Sequence, residues 1–274
     1  MKSLDTVIES FKLVYKNPKI MLIPLKIFAL SFIFIFTLGL FFGVGIDDIF
    51  RGIKNAEYFS SPPLIIILLF SFLIYPFLTG MLISSGIQTM KGKFSLSRAF
   101  EDAKKKYSSL LGVFLISIGI FVLLFVPIIF IAIIDRINDF IAFLLFILYL
   151  IFLVIALIFL VASLFEAGTI VFTENRKAFD AVKRGFYIGK KKVLSIIATQ
   201  FFLFIIIFGV SLIIGKILEI FKIVSNPVDE AVGFPILSIL FLIIVKIPVN
   251  SFFYSAGGIL PVIFYYSYDI KNLK

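Results

Sequence analysis

The sequence predicts an all-α, polytopic membrane helix bundle, and three observations predict it: six long apolar stretches, positive charge gathered in alternate connections, and an internal repeat of proline and glycine positions. Of 274 residues, 61% are hydrophobic and 15% charged, with a mean hydropathy of +1.17. Soluble domains are about half apolar and a quarter charged. No connection between the apolar stretches is long enough to bury a soluble core, so residues 1–274 read as a single membrane domain.

A helix needs about 20 apolar residues to cross hydrocarbon, where only backbone bonded within its own segment is stable. Six segments qualify: Ile20–Ile46, Pro62–Met90, Ser108–Ile134, Phe140–Phe165, Val193–Gly215 and Phe234–Tyr268. The first is too long for a signal-peptide apolar region and is followed by no small-residue cleavage pattern, so it reads as retained.

Lys and Arg resist translocation and therefore mark the cytoplasmic side. Nineteen of the 26 fall in the N-terminal segment, the second and fourth connections and the C-terminus, whereas five fall in the other three connections. Lys26 and Lys246 lie inside spans. Both termini are accordingly predicted to be cytoplasmic. The net charge of +10 follows this pattern beside the spans and points to anionic lipid headgroups as partners, not to nucleic acid. A membrane-protein partner is the other class this reading admits. The runs Lys104, Lys105, Lys106 and Lys190, Lys191, Lys192 read as headgroup anchors.

An amphipathic stretch precedes each odd-numbered span. Leu4, Val7, Ile8, Phe11, Val14 and Tyr15 share one helical face, and Lys2, Asp5, Glu9, Lys12 and Lys16 the other. Leu96 to Tyr107 and Ala178 to Phe186 repeat the pattern. Each predicts a cytoplasmic helix lying in the headgroup plane. At the middle outer connection, Asp135 to Asp139, five residues force an antiparallel hairpin.

The unit of interface helix, span, outer loop and returning span therefore occurs three times, over about 1–92, 93–174 and 175–274. At a constant offset of 172, Tyr15 falls on Tyr187, Lys19 on Lys191, Gly43 on Gly215, Pro63 on Pro235, Pro76 on Pro248 and Gly86 on Gly258. The middle copy is looser. The expectation is three parallel hairpin repeats.

The run Phe11-Lys12-Leu13-Val14-Tyr15-Lys16-Asn17-Pro18 before the first span and Ala178-Phe179-Asp180-Ala181-Val182 before a basic stretch resemble a prokaryotic six-span membrane family. That family includes the YciC-like proteins and the membrane domain attached to some glycerophosphoryl diester phosphodiesterases. The resemblance implies a multi-pass membrane domain without assigned chemistry. The phosphodiesterase activity does not transfer, because its catalytic domain is a soluble barrel using His, and this chain has no His.

Catalytic constellations are missing from the sequence. With no His and no Cys it lacks the commonest general base, thiol nucleophiles and thiolate metal ligands, and no phosphate loop or nucleophile elbow occurs. No catalytic residue, metal or cofactor is therefore assigned.

The candidate intramembrane polar site is Lys246 with Glu166. Lys246 reads in two ways. If its span starts near Gly233, the ammonium stands close to mid-bilayer as a counter-ion or gating charge, at a cost of about 2.5–3.5 kcal/mol. If Ile247–Tyr268 is the crossing, Lys246 snorkels to the outer interface. Glu166, near the inner end of the fourth span, partners Lys246, carries a proton or reaches headgroup water. Pro76 and Pro248 are helix-break candidates that either open a site or bend a helix. Gly39-x-x-x-Gly43 and Ser211-x-x-x-Gly215 have the spacing of close helix contacts. Two functions follow: a non-catalytic membrane domain acting through lipid or protein partners, and a small transporter or channel with its pathway between the repeats near Lys246.

Overall fold

The computed structural model describes residues 2–42, 62–224 and 246–273. All regular structure among these residues is helical. The α-helices are α1 (Lys2–Lys16), α2 (Leu22–Phe42), α3 (Pro62–Met90), α4 (Leu96–Asp135), α5 (Asp139–Leu164), α6 (Ala167–Thr173), α7 (Ala178–Val224) and α8 (Ile247–Ser267). Short 3-10 turns cover Pro18–Met21 and Ile270–Asn272. Among the described residues five helical stretches are long and apolar enough to cross a membrane: Leu69–Met90, Leu96–Asp135, Asp139–Thr173, Ala178–Ile217 and Ile247–Ser267. The first predicted span coincides with α2 over its described part. Its positions 43–46, positions 234–245 of the last predicted span, and Gly43 of the first small-residue motif lie outside the described residues.

Local sequence accounts for the helix boundaries. The Asn17-Pro18 step ends α1, since the residue before a proline is driven out of the helical region and proline offers no N–H. After α3 the chain turns at Gly92, whose φ of +70° favours glycine. Asn138 caps α5 by accepting from the Ile141 N–H at 3.0 Å, which closes the predicted α4–α5 hairpin.

The interface helices differ from expectation in two respects. The second is not separate: Leu96–Tyr107 and the following span form one 40-residue helix, about 60 Å long at 1.5 Å per residue. Nothing between Tyr107 and Leu110 interrupts a helix, so propagation continues. The third is joined to its span across Lys192, whose φ of −126° and ψ of 17° are non-helical. The first is separate, and part of its apolar face is covered by protein while Ile8 and Tyr15 stay exposed. Val7 and Val14 are 0% exposed, and α1 lies along α8 from Phe252 to its C-terminal end and against α7. Phe11 stacks on Phe252 at 5.7 Å, and Ser3 hydrogen-bonds the Tyr268 hydroxyl at 2.9 Å. A protein face already shaped for Val7 and Val14 outcompetes lipid because it supplies dense, fixed packing.

Close helix contacts are made by a motif other than those predicted. Gly185 and Gly189, four apart on α7, receive Ser163 of α5: a Cβ on Gly189 would stand 2.6 Å from the Ser163 Oγ, and one on Gly185 would collide with its carbonyl oxygen. Gly258 of α8 likewise abuts Leu82 of α3, and Gly86 abuts Ile259. The outward halves of α4, α5 and α7 keep large apolar side chains uncovered, such as Leu123, Phe130, Leu148 and Phe204.

Candidate functional site

Helices α2 to α8 surround a cavity of about 770 Å³. Its described wall is mostly apolar, and no charged side chain lines it. Six side chains contribute hydroxyl or amide groups: Tyr75 and Thr79 of α3, Ser117 of α4, Ser211 of α7, and Asn250 and Tyr254 of α8. The cavity exists because α8 packs on α1, α2 and α3, leaving room between it and α7. A neutral chamber of this kind suits an apolar or amphipathic guest, oriented by a few polar groups.

Pro76 lines this cavity, and α3 runs unbroken through it. Pro248 stands in the first turn of α8, where a missing N–H costs little, one residue before the wall residue Val249. Pro127 of α4 and Pro261 of α8 are further prolines within helices.

Lys246 directly precedes α8 with helical backbone angles, makes no side-chain cap hydrogen bond and is exposed. It is not part of the cavity wall, but Asn250, one turn on, is. Leu82, which abuts Gly258, belongs to the cluster that Ile20 and Ile23 make at the start of the first span. Lys246 lies twelve residues before Gly258, about 18 Å along the helix axis. Glu166 is elsewhere: its neighbour Phe165 packs edge-on against Phe264 at 5.6 Å, and Phe264 is eighteen residues, about 27 Å of helix, from Lys246. The structure does not bring the two together.

Glu166 is instead fully buried at the α5–α6 junction, and both carboxyl oxygens lack a hydrogen-bond partner among the described residues. Thr169, one turn on, has an unpartnered hydroxyl as well. Nothing in the local sequence signals this, because an acid near a span end reads as one that reaches headgroup water.

The basic segments converge on one end of the bundle. The two chain ends meet there: Lys2 Nζ lies 4.6 Å and Lys192 Nζ 5.7 Å from the centre of the Tyr268 ring. Arg184 donates to the Ile270 carbonyl at 3.1 Å and pairs with Glu174 at 3.5 Å, and Glu174 also pairs with Arg176 and accepts from the Tyr265 hydroxyl. Lys106 of α4 hydrogen-bonds Asn175 between α6 and α7. Lys104, Lys105, Lys190 and Lys191 are exposed at this end, Lys191 lying 4.5 Å from the centre of the Tyr187 ring, and Lys106 and Lys192 are half-buried.

The described residues thus define an all-helical protein with several membrane-length apolar helices, a half-open cavity with a described wall free of charge, and one basic end. No protein-family model matches the chain, and no curated protein or solved structure matches it either.

Proposed function

We propose that this chain is a six-span, non-catalytic protein of the cell membrane that acts at the cytoplasmic face through anionic lipids or a membrane-protein partner. The observation that carries this reading is the convergence of both chain ends and the three basic segments on one end, beyond which the helices expose apolar side chains. Lipid covers such side chains at no cost, and cations on one side match the rule that sets topology. Three parallel hairpin units remain part of the proposal. In their favour, the break at Pro18–Met21 falls, at the offset of 172, on the kink at Lys192. Kinship to the YciC-like family rests on the two motifs quoted for it.

The chain has no cysteine, so single-cysteine labelling reads orientation directly. With a membrane-impermeant maleimide, Lys105→Cys and Lys190→Cys should react from the cytoplasmic side and Arg136→Cys from the other. Labelling of positions 105 and 190 from opposite sides would overturn the reading.

The cavity supports a second reading, a small transporter with its pathway through the bundle. Tyr75, Asn250 and Tyr254 would face the substrate, and Lys246, about 18 Å along α8 from Gly258, would stand within the apolar belt. Reconstituted vesicles should then pass a solute at a rate cut at least tenfold by Asn250→Leu. Equal permeability with and without the protein, across ions and small solutes, would dispose of it.

A further inference from the structure

A second, smaller cleft of about 280 Å³ opens at the basic end between the last turns of α3 and the first turns of α4. Lys91, Lys93, Arg98, Lys105 and Lys106 line it, with Asp102 as the one carboxylate. Of these five cations, none has a carboxylate within 4 Å among the described residues. Cations gathered this closely repel one another, and an anion placed among them relieves that repulsion.

The cleft is built on a buried polar frame. Ser84 and Gln88, 2% and 7% exposed, both donate to one oxygen of Asp102, at 2.8 and 3.2 Å. The Gln88 side-chain oxygen accepts from the Ser95 N–H at 2.9 Å. Gln88 therefore ties the turn bearing Lys91 and Lys93 to the helix bearing Arg98 and Lys105. Lys106 is anchored to Asn175. This frame fixes the backbone from which the cations converge on one cleft, which favours a ligand held there over diffuse attraction.

We propose that this cleft binds the phosphate of an anionic membrane phospholipid. This rests on the reading that the basic end faces a lipid leaflet. Depth favours a lipid over soluble phosphate: Ser84 directly follows Ile83, a wall residue of the central cavity, so the cleft begins where the apolar span ends. Ile87 and Phe172 give it an apolar side. A headgroup among the cations would leave its glycerol and acyl portion against these side chains.

The test is titration of the full chain in neutral detergent with dioctanoyl phosphatidylglycerol, read by thermal stability, beside dioctanoyl phosphatidylcholine and inorganic phosphate. Saturable stabilisation by phosphatidylglycerol, with at least tenfold weaker effects of the other two, is expected. Arg98→Gln with Lys105→Gln should weaken binding at least tenfold, whereas Lys183→Gln with Lys190→Gln, outside the cleft, should change it less than threefold. Asp102→Asn should tighten binding severalfold, because it removes the opposing charge and keeps an oxygen for Ser84 and Gln88; a merely structural Asp102 would not do so. Equal loss in both double variants overturns the cleft and leaves a diffuse basic surface intact. Inorganic phosphate binding as well as the lipid overturns the lipid assignment. Indifference to every anionic probe removes the underlying lipid reading too.

Discussion

The hydroxyl of Tyr149 on α5 donates to the main-chain carbonyl of Leu124 on α4 at 2.8 Å, three residues before Pro127. The arrangement recurs: Tyr107 donates to the Leu73 carbonyl at 2.9 Å, three residues before Pro76. A proline within a helix withholds its N–H from the carbonyl four residues back, here Leu123 or Phe72, and its ring crowds that turn, so in hydrocarbon an extra donor to a carbonyl of the same turn is favourable. Tyrosines on the adjoining helix donate to the carbonyl next to the orphaned one in each case. The prolines are in this way absorbed into helix packing.

Removing that donor should be measurable. Tyr149→Phe is expected to lower stability by about 0.5–1.5 kcal/mol, read by thermal denaturation in detergent. In a Pro127→Ala background, where the turn can close, the same change should cost less than half as much. Equal costs in both backgrounds would separate the tyrosine from the proline.

The seat of Ser163 on α7 makes a second case. Gly185→Ala places a methyl group into the Ser163 carbonyl, and the expected loss is about 2 kcal/mol or more. At Gly209, which has open space around it, alanine should be neutral or stabilising by up to about 1 kcal/mol through helix propensity. If the two variants melt alike, the α5–α7 contact is not as close as described.

Glu166 yields a prediction of opposite sign. Its carboxyl group is buried without a hydrogen-bond partner, so an apolar residue of similar length should fit better. Glu166→Met is expected to raise stability by about 1 kcal/mol or more, measured in the same melts. A comparable fall would reveal a partner for the carboxyl group.

The docking of α1 can be probed by contrast. Val14 is wholly buried against α8, whereas Tyr15 is 80% exposed. Val14→Lys should destabilise by about 3 kcal/mol or more, and Tyr15→Lys by under about 0.5 kcal/mol. Similar effects at both positions would return α1 to the lipid surface.

Much of the helical layout was legible in advance. Pro62–Met90 has the same limits in sequence and structure, and the α4–α5 hairpin falls where five residues at Asp135 to Asp139 demanded it. Hydrocarbon length and charge are one-dimensional signals, readable along the chain. What covers the interface helices was not legible: the amphipathic pattern of α1 shows that Val7 and Val14 seek cover, but the pattern is the same whether lipid or protein provides it. The Gly185–Gly189 contact was not legible, because its motif sits in the polar approach to a span, where small-residue spacing does not by itself mark a helix contact.

The candidate sites divide the same way. The basic runs at Lys104 and Lys190 were visible, yet a run cannot show that Lys91 and Lys93 from another helix join Lys105 around Asp102. Nor could it show that Glu166 is sealed off from Lys246. By itself the sequence determined which stretches are helical and apolar and where positive charge collects, because these depend on neighbours along the chain. Tertiary structure alone decided which helices touch, where a cavity remains between them and which charges share a cleft, since packing brings together residues that no local period relates.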